Sequence, residues 1–299
     1  YFLTKIPVAM KLALGTVQFG LDYGVANSNG QVHLNEVARV LNYARSRNIR
    51  LLDTAPAYGN SEQVLGEVNA HDFKIITKIR QFNQVSIVKK DVDLLISDFD
   101  QSLQLLNRKS IYGLLIHNAE DFLKEGFDKV YKQLELFKAQ GLITNIGVSV
   151  YTGEQLQKII DRFDIDLVQL PFNILDKRLI DSGILNKIHN QGIEVHARSV
   201  FLQGLLLMTE QSRPKKFNRW KDLWKLWHEW LSDNKLTALE ATIRYAISTP
   251  EISRVLVGVD SKDQLQDIIK ATDGNIPPIP KELFIHDTDL LNPDNWNKL

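Results

Sequence analysis

Leu51-Leu52-Asp53-Thr54-Ala55-Pro56-Ala57-Tyr58-Gly59-Asn60-Ser61-Glu62 decides how this chain is read. It opens as an apolar pair closed by an acid, the pattern of a short buried strand that ends at a rim. Ala55 to Gly59 extends neither a strand nor a helix, because proline lacks a backbone donor and glycine loosens the chain. Ser61-Glu62 then opens an amphipathic run. The stretch is one strand–loop–helix unit, and it places an acid and a phenol five residues apart on the connection.

The same unit recurs. Short apolar runs stand at Lys11–Gly15, Arg50–Asp53, Lys74–Lys78, Tyr112–His117, Asn145–Ser149, Leu167–Leu170, Glu194–Arg198 and Arg254–Val257. Helical patterns lie between and after them, at Asn35–Arg47, Ser61–Glu67, Asp91–Leu106, Gly126–Gln140, Thr152–Asp161, Leu179–Gln191, Thr237–Ser248 and Lys262–Ala271. Leu94, Leu95, Phe99, Leu103 and Leu106 form the stripe of a helix packed on one face. Near-continuously apolar strands that alternate with helices indicate a parallel sheet covered on its faces. Eight such units fill the 299 residues. The expected fold is therefore α/β, a single (β/α)8 barrel domain over residues 1–299, with 1–9 a candidate tag or extension ahead of Met10. An open doubly wound sheet is the alternative, disfavoured because no dinucleotide glycine fingerprint follows any strand.

One segment breaks the rhythm. Val200 to Leu236 separates strand seven from its helix and carries Gly204, Pro214, Lys215-Lys216 and the run Trp220, Leu223, Trp224, Trp227, Trp230. The run reads as one face of an extra helix packed on the barrel; a substrate cover is the other reading. After Asp273, Ile276-Pro277-Pro278-Ile279-Pro280 is an extended exit to a tail with Trp296.

Composition excludes several classes of function. Lys+Arg and Asp+Glu both number 36, so formal net charge is zero and there is no electrostatic footprint for nucleic acid or an anionic membrane. Cysteine is absent, which removes thiolate chemistry and Cys-based metal sites and fits a reducing cytoplasm. No apolar run approaches the ~20 residues that cross a bilayer. There is no His-Glu-x-x-His or Gly-Lys-Ser/Thr motif, and no metal is expected. His228-Glu229-Trp230 reads as a solvated face, and His33, His71, His189 and His286 as surface. Nothing in the sequence specifies an oligomeric state.

Asp53, Lys78 and His117 fall at the C-terminal ends of strands two, three and four, and Tyr58 on the loop after strand two. In a parallel barrel those ends share the rim that carries active sites. Each residue has a plainer reading: a helix cap, a half-buried phenol, a solvated lysine, a core histidine. Lys78 sits inside Ile75-Ile76-Thr77-Lys78-Ile79, however, and a buried lysine needs a partner. The chemistry that uses all four is proton donation to a carbonyl. A phenol is a poor acid at neutral pH, a nearby ammonium favours its phenolate, a carboxylate aims that ammonium, and an imidazole orients the carbonyl oxygen. Such a site needs a hydride source, usually a nicotinamide.

Asp53-Thr54-Ala55-x-x-Tyr58-Gly59-x-Ser61-Glu62, Lys78 in Ile-Thr-Lys and His117 in Leu-Ile-His resemble the aldo-keto reductases, from about Lys11 to the helix near Ile269. The resemblance implies NAD(P)H-dependent reduction of a small aldehyde or ketone without metal. Tyr58 would be the general acid, Lys78 its tuner, Asp53 the support of Lys78, and His117 the orienter. Gly147-Val148-Ser149-Val150-Tyr151 is similar to the family's Gly-Val-Ser-Asn-Phe block; Ser149 and Gln169 would bind the carboxamide, and Val150 replaces an asparagine. Arg198 stands where the family stacks a tyrosine on the nicotinamide; it would stack in its place or draw an anionic substrate. Gly15 and Thr16 would touch the nicotinamide end. Ser199, Leu202 and Gly204 resemble the segment that covers the pyrophosphate. Gly258, Ser261, Gln264 and Asp267 resemble the adenosine-phosphate block, with Gln264 in place of an arginine and Ile268 in place of an asparagine. Family habit puts NADPH ahead of NADH; Asp260 would repel a 2′-phosphate, and Lys262 would offset it. The substrate pocket is expected from the Gln18–Asn27 loop (Phe19, Tyr23), the Asn118–Phe122 loop, Arg198 and the insertion. The rival readings are a nucleotide-sensing or regulatory protein on the same barrel and a Schiff-base enzyme that uses Lys78.

Overall fold

Each apolar run pairs with the next one in sequence. The computed structural model describes residues 11–25, 27 and 30–299, so Met10 and the candidate tag lie outside the described residues. Strands β1 (Leu12–Gly15), β2 (Leu51–Asp53), β3 (Lys74–Ile79), β4 (Ile111–Ile116), β5 (Ile143–Ser149), β6 (Leu167–Pro171), β7 (Glu194–Arg198) and β8 (Arg254–Gly258) run parallel in sequence order. β8 returns to β1 with Leu12 opposite Val255 and Gly15 opposite Gly258, which closes the barrel and rules out the open sheet.

Closure sorts side chains by the two-residue period of a strand. Leu14, Leu52, Ile75, Leu114, Val148, Val168, Val195 and Val257 point outward into the core shared with the helices. Ala13, Leu51, Ile76, Leu115, Leu167 and Leu256 form a separate apolar cluster inside the barrel. Two residues further along each of those strands come Gly15, Asp53, Lys78, His117, Gln169 and Gly258. Ser149 from β5 and Arg198 from β7 complete the ring, and all eight line one cavity. An apolar layer thus plugs the barrel, and the layer above it is polar and open at the C-terminal rim.

The helices fall within two residues of their expected bounds, with one exception. The run expected at Leu179–Gln191 is two helices, Arg178–Asp181 and Ile184–Asn190, because Gly183 adopts a left-handed φ of 74° between them. Reciprocal capping boxes start two others. The Thr152 hydroxyl accepts from the Gln155 amide and Thr237 from that of Glu240, each at 3.2 Å, while the Gln155 and Glu240 side chains return to the cap amides. Such caps contribute about 1 kcal/mol each.

Trp224, Trp227 and Trp230 occupy the buried face of the Lys221–Asp233 helix. Their indole N–H groups donate to the carbonyls of Phe217, Leu206 and Pro278, and that of Trp220 donates to Asp287. None of the four lines the cavity; the run packs the insertion against itself and the C-terminal exit. His228 on the same helix is half-buried and bonded to Arg213 at 3.0 Å, not a solvated face. Among the described residues, no helix is long and apolar enough to cross a membrane.

Candidate active site

Lys78 is the centre of the polar layer. It is 2 % exposed, and the strand period turns it inward between Thr77 and Ile79, which face the helices. Its Nζ donates to Asp53 Oδ2 at 2.8 Å, Asp53 Oδ1 at 2.9 Å, the Thr54 carbonyl at 2.9 Å and the Tyr58 hydroxyl at 3.2 Å. Burial pulls the ammonium's pKa down, but the charges of Asp53 and Tyr58 outweigh it and leave the pKa raised. A fully charged amine has no electron pair for a carbonyl, which opposes the Schiff-base reading. Gln169 donates its amide to the same Asp53 Oδ1 that accepts from Lys78, so it too orients the carboxylate.

Tyr58 reaches Lys78 because its loop is folded back on the β1 loop. Gly59 has φ 60°, and a Cβ there would stand 2.2 Å from the Gly20 carbonyl; one on Gly20 would stand 1.8 Å from the Tyr58 carbonyl. Only two glycines allow this approach. Beneath it, the buried Ser61 hydroxyl bonds Thr16 Oγ1 at 2.8 Å, the Thr16 carbonyl at 2.9 Å and Thr54 Oγ1 at 3.1 Å. Glu62, 3 % exposed, accepts from Thr77 at 2.5 Å and Ser102 at 3.2 Å, and its carboxyl pKa is raised by burial.

His117 stands just past the end of β4 and faces Tyr58 edge-on, with ring centroids 6.1 Å apart. Burial first, then the charge of Lys78, pushes its pKa down to about 4. It is a neutral imidazole at physiological pH. Arg198 donates to the Val150 carbonyl at 3.1 Å, and its guanidinium lies 4.3 Å from the centre of the Tyr151 ring.

These groups open into a cavity of about 600 Å³, a size suited to an organic ligand. Gly15, Thr16, Asp53, Tyr58, Lys78, His117, Ser149, Gln169, Arg198, Ser199, Gly204, Gly258, Gln264 and Asp267 all line it. Leu202 and Ser261 do not. Leu202 is fully buried, and Ser261 caps the Lys262–Ala271 helix by accepting from the Gln264 amide. Of the expected substrate pocket, Gln18, Tyr23 and Asn27 line the cavity, but Phe19 is buried in the core. No residue of the Asn118–Phe122 loop reaches it; Phe122 packs on Phe127 with centroids 4.4 Å apart. Ala26 of the first loop lies outside the described residues. Among the described residues, no group of three or more His, Asp or Glu side chains could hold a metal ion.

The loop after β7 forms one wall. Ser199, Leu202 and Gln203 all hold positive φ, a strained run for residues with side chains. Gln203 donates to the Tyr23 hydroxyl at 3.2 Å, a bridge between the β7 and β1 loops.

A family model described as the aldo/keto reductase family matches residues 11–282. The chain belongs to that family. Among relatives of this aldo/keto reductase, L-galactose dehydrogenase of Arabidopsis thaliana is 25% identical over 266 residues, which is 81% of this chain and 79% of that protein. Protein REDOX 2 of Catharanthus roseus is 29% identical over 158 residues, 46% of this chain and 49% of that protein. Aldo-keto reductase AKR11C1 from Bacillus halodurans, in its holo form, superposes with a TM-score of 0.71 at 20% identity and covers 94% of this chain and 92% of its own. The glycerol dehydrogenase AKR11B4 from Gluconobacter oxydans gives 0.68 at 20% identity, covering 91% and 88%. At that identity the two structures speak for the fold.

Tyr151 of the Gly147–Tyr151 block and Phe201 and Leu207 of the insertion also line the cavity. Sequence reading missed one cavity residue of this aldo/keto reductase, Leu239, which comes from an element without a motif. Leu239 sits in the first turn of the Ala238–Ser248 helix, where periodicity marks an apolar residue but not the side it faces.

Proposed function

We propose that this protein reduces the carbonyl group of an aldehyde or ketone to an alcohol, with Tyr58 as proton donor. The observation that carries the reading is the Lys78 ammonium, held by Asp53 and 3.2 Å from the Tyr58 hydroxyl at the floor of the cavity. The carbonyl carbon gains a hydride while its oxygen takes the Tyr58 proton. The ammonium stabilises the phenolate left behind. Neutral His117 has an N–H to give the carbonyl oxygen, and it competes for no proton at neutral pH because its pKa is held near 4.

Three buried polar atoms of cavity-lining residues have no hydrogen-bond partner among the described residues: Gln18 Oε1, Arg198 Nε and Asp260 Oδ1. Unpaired buried polar atoms are costly, so their alignment on one cavity supports an extended polar ligand. Gly15 leaves that wall open, since a Cβ there would meet only the Val257 carbonyl at 3.9 Å. A nicotinamide dinucleotide fits this lining and would supply the hydride when bound; Ser149 and Arg198 would hold its nicotinamide end and Gly258, Gln264 and Asp267 its adenosine end. Family habit puts NADPH ahead of NADH; the charges at the adenosine end oppose that preference.

Removing the phenol tests the assignment. Tyr58→Phe should lower carbonyl reduction by at least about 100-fold, the scale of a lost general acid, and leave dinucleotide binding by fluorescence titration nearly unchanged. Wild-type turnover in this variant would refute it.

A further inference from the structure

The cavity has a charge asymmetry along its length. Its cationic lining residues, Lys78 and Arg198, sit at the Tyr58 end. The other end is lined by Gly258, Asp260, Gln264, Asp267 and Ile268, with no lysine or arginine among the described residues there. Two basic side chains of the neighbouring helix, Lys262 and Lys270, each lie beside an acid. Lys262 has its Nζ 3.8 Å from Asp263 and 5.6 Å from the Tyr43 ring centre, and its amide donates to Glu36 at 2.7 Å. Lys270 pairs with Asp267 at 3.4 Å on the open surface, where both are 65% exposed.

Asp260 is the acid that matters most, because it is half-buried. Its amide is satisfied by Gln264 Oε1 at 2.8 Å, and Gln264 Nε2 touches Oδ2 at a marginal 3.5 Å. Oδ1 has no partner. Burial holds this carboxyl's pKa above the ordinary range despite Gln264, and the charge of Asp22 adds to the effect. An unpaired buried carboxylate oxygen wants a hydroxyl donor, which a ribose diol supplies. A phosphate monoester in the same place has no such donor and adds nearly two negative charges.

We propose that Asp260 makes this a site for the dinucleotide without a 2′-phosphate, so that NADH is bound in preference to NADPH. The inference rests on the reading of the cavity as a nicotinamide dinucleotide site. It replaces the preference carried by family habit with one set by the residues that line the cavity, and it identifies Gln264 as the residue that fixes the Asp260 backbone.

Equilibrium titration of the wild-type protein with NADH and with NADPH, read by tryptophan quenching, tests both levels without turnover. NADH is expected to bind at least about tenfold tighter, the effect of one unfavourable charge contact. Asp260→Asn keeps the shape and removes the charge; it should bring the two dissociation constants to within about threefold, mainly by tightening NADPH. Asp233→Asn, at an exposed acid that does not line the cavity, should leave the ratio unchanged. Equal or tighter NADPH binding by the wild type overturns the inference and leaves the proposed function standing. An unchanged ratio in Asp260→Asn overturns the role of that residue. Failure of both dinucleotides to bind a folded protein refutes the nucleotide site itself, and the preference with it.

Discussion

Lys78 and His117 show how single residues are tuned by what surrounds them. The depressed pKa of His117 has two consequences. Its folded value, about 4, lies below the unfolded value of about 6.5. Between those limits the unfolded chain binds more protons, so stability from this group is complete above pH ~6.5 and is lost as pH falls toward 4. Urea denaturation from pH 4 to 7 should show this rise, and His117→Gln should flatten it. kcat/KM should likewise show no acidic limb near pH 6.5 from this imidazole. At Gly59 the constraint is steric. Gly59→Ala forces a side chain against the Gly20 carbonyl at a φ of 60° and moves the Tyr58 loop. A loss of at least about 10-fold in kcat is expected, with little change in dinucleotide affinity, since small misplacements of a reacting group are costly.

The elements act through what they anchor. The Ser61–Glu67 helix is tied to β3 and to the Lys89–Leu105 helix by one buried carboxylate, Glu62 with Thr77 and Ser102. Removing it in Glu62→Ala leaves two hydroxyls unpaired and should cost about 1–3 kcal/mol by urea denaturation. Glu62→Gln keeps an acceptor for Thr77. The raised carboxyl of Glu62 means the folded protein holds that proton longer than the unfolded chain, so its contribution to stability falls as pH rises. Glu62→Gln should lack that fall and gain on the wild type toward pH 8. The insertion helix is a packing element: Trp227 is fully buried, and Trp227→Ala should cost about 3–5 kcal/mol. Turnover per folded molecule should survive, because no tryptophan lines the cavity.

At the scale of the whole molecule, the barrel and its C-terminal segment are joined through the insertion. Leu290, Leu291 and Trp296 are buried, Lys216 donates to the Trp296 carbonyl at 2.8 Å, and Arg219 pairs with Asp289 at 3.1 Å. Removing residues 286–299 should lower the thermal midpoint by on the order of 10 °C, since three buried apolar side chains are lost and each kcal/mol moves a chain of this size by a few degrees. Circular dichroism melts would show it. A chain without the segment that melts at the wild-type temperature would mean that this packing contributes nothing.

The sequence by itself determined the eightfold repeat and favoured the barrel over an open sheet. Strand and helix periods are local, and eight repeats allow few closures. It also placed Asp53, Lys78 and His117 together on the rim, because strand ends of a parallel barrel share one mouth. Only the tertiary structure decided which loops reach the cavity. Phe19 and Phe122 carry the same apolar signal as Phe201 and Leu239, yet the first two face the core and the others the ligand space. The break at Gly183 and the diversion of Lys262 toward Tyr43 depend likewise on a backbone angle and a neighbour far away in the chain. Period fixes the face of a strand; on a loop, long-range packing fixes the direction of each side chain, and no local pattern records it.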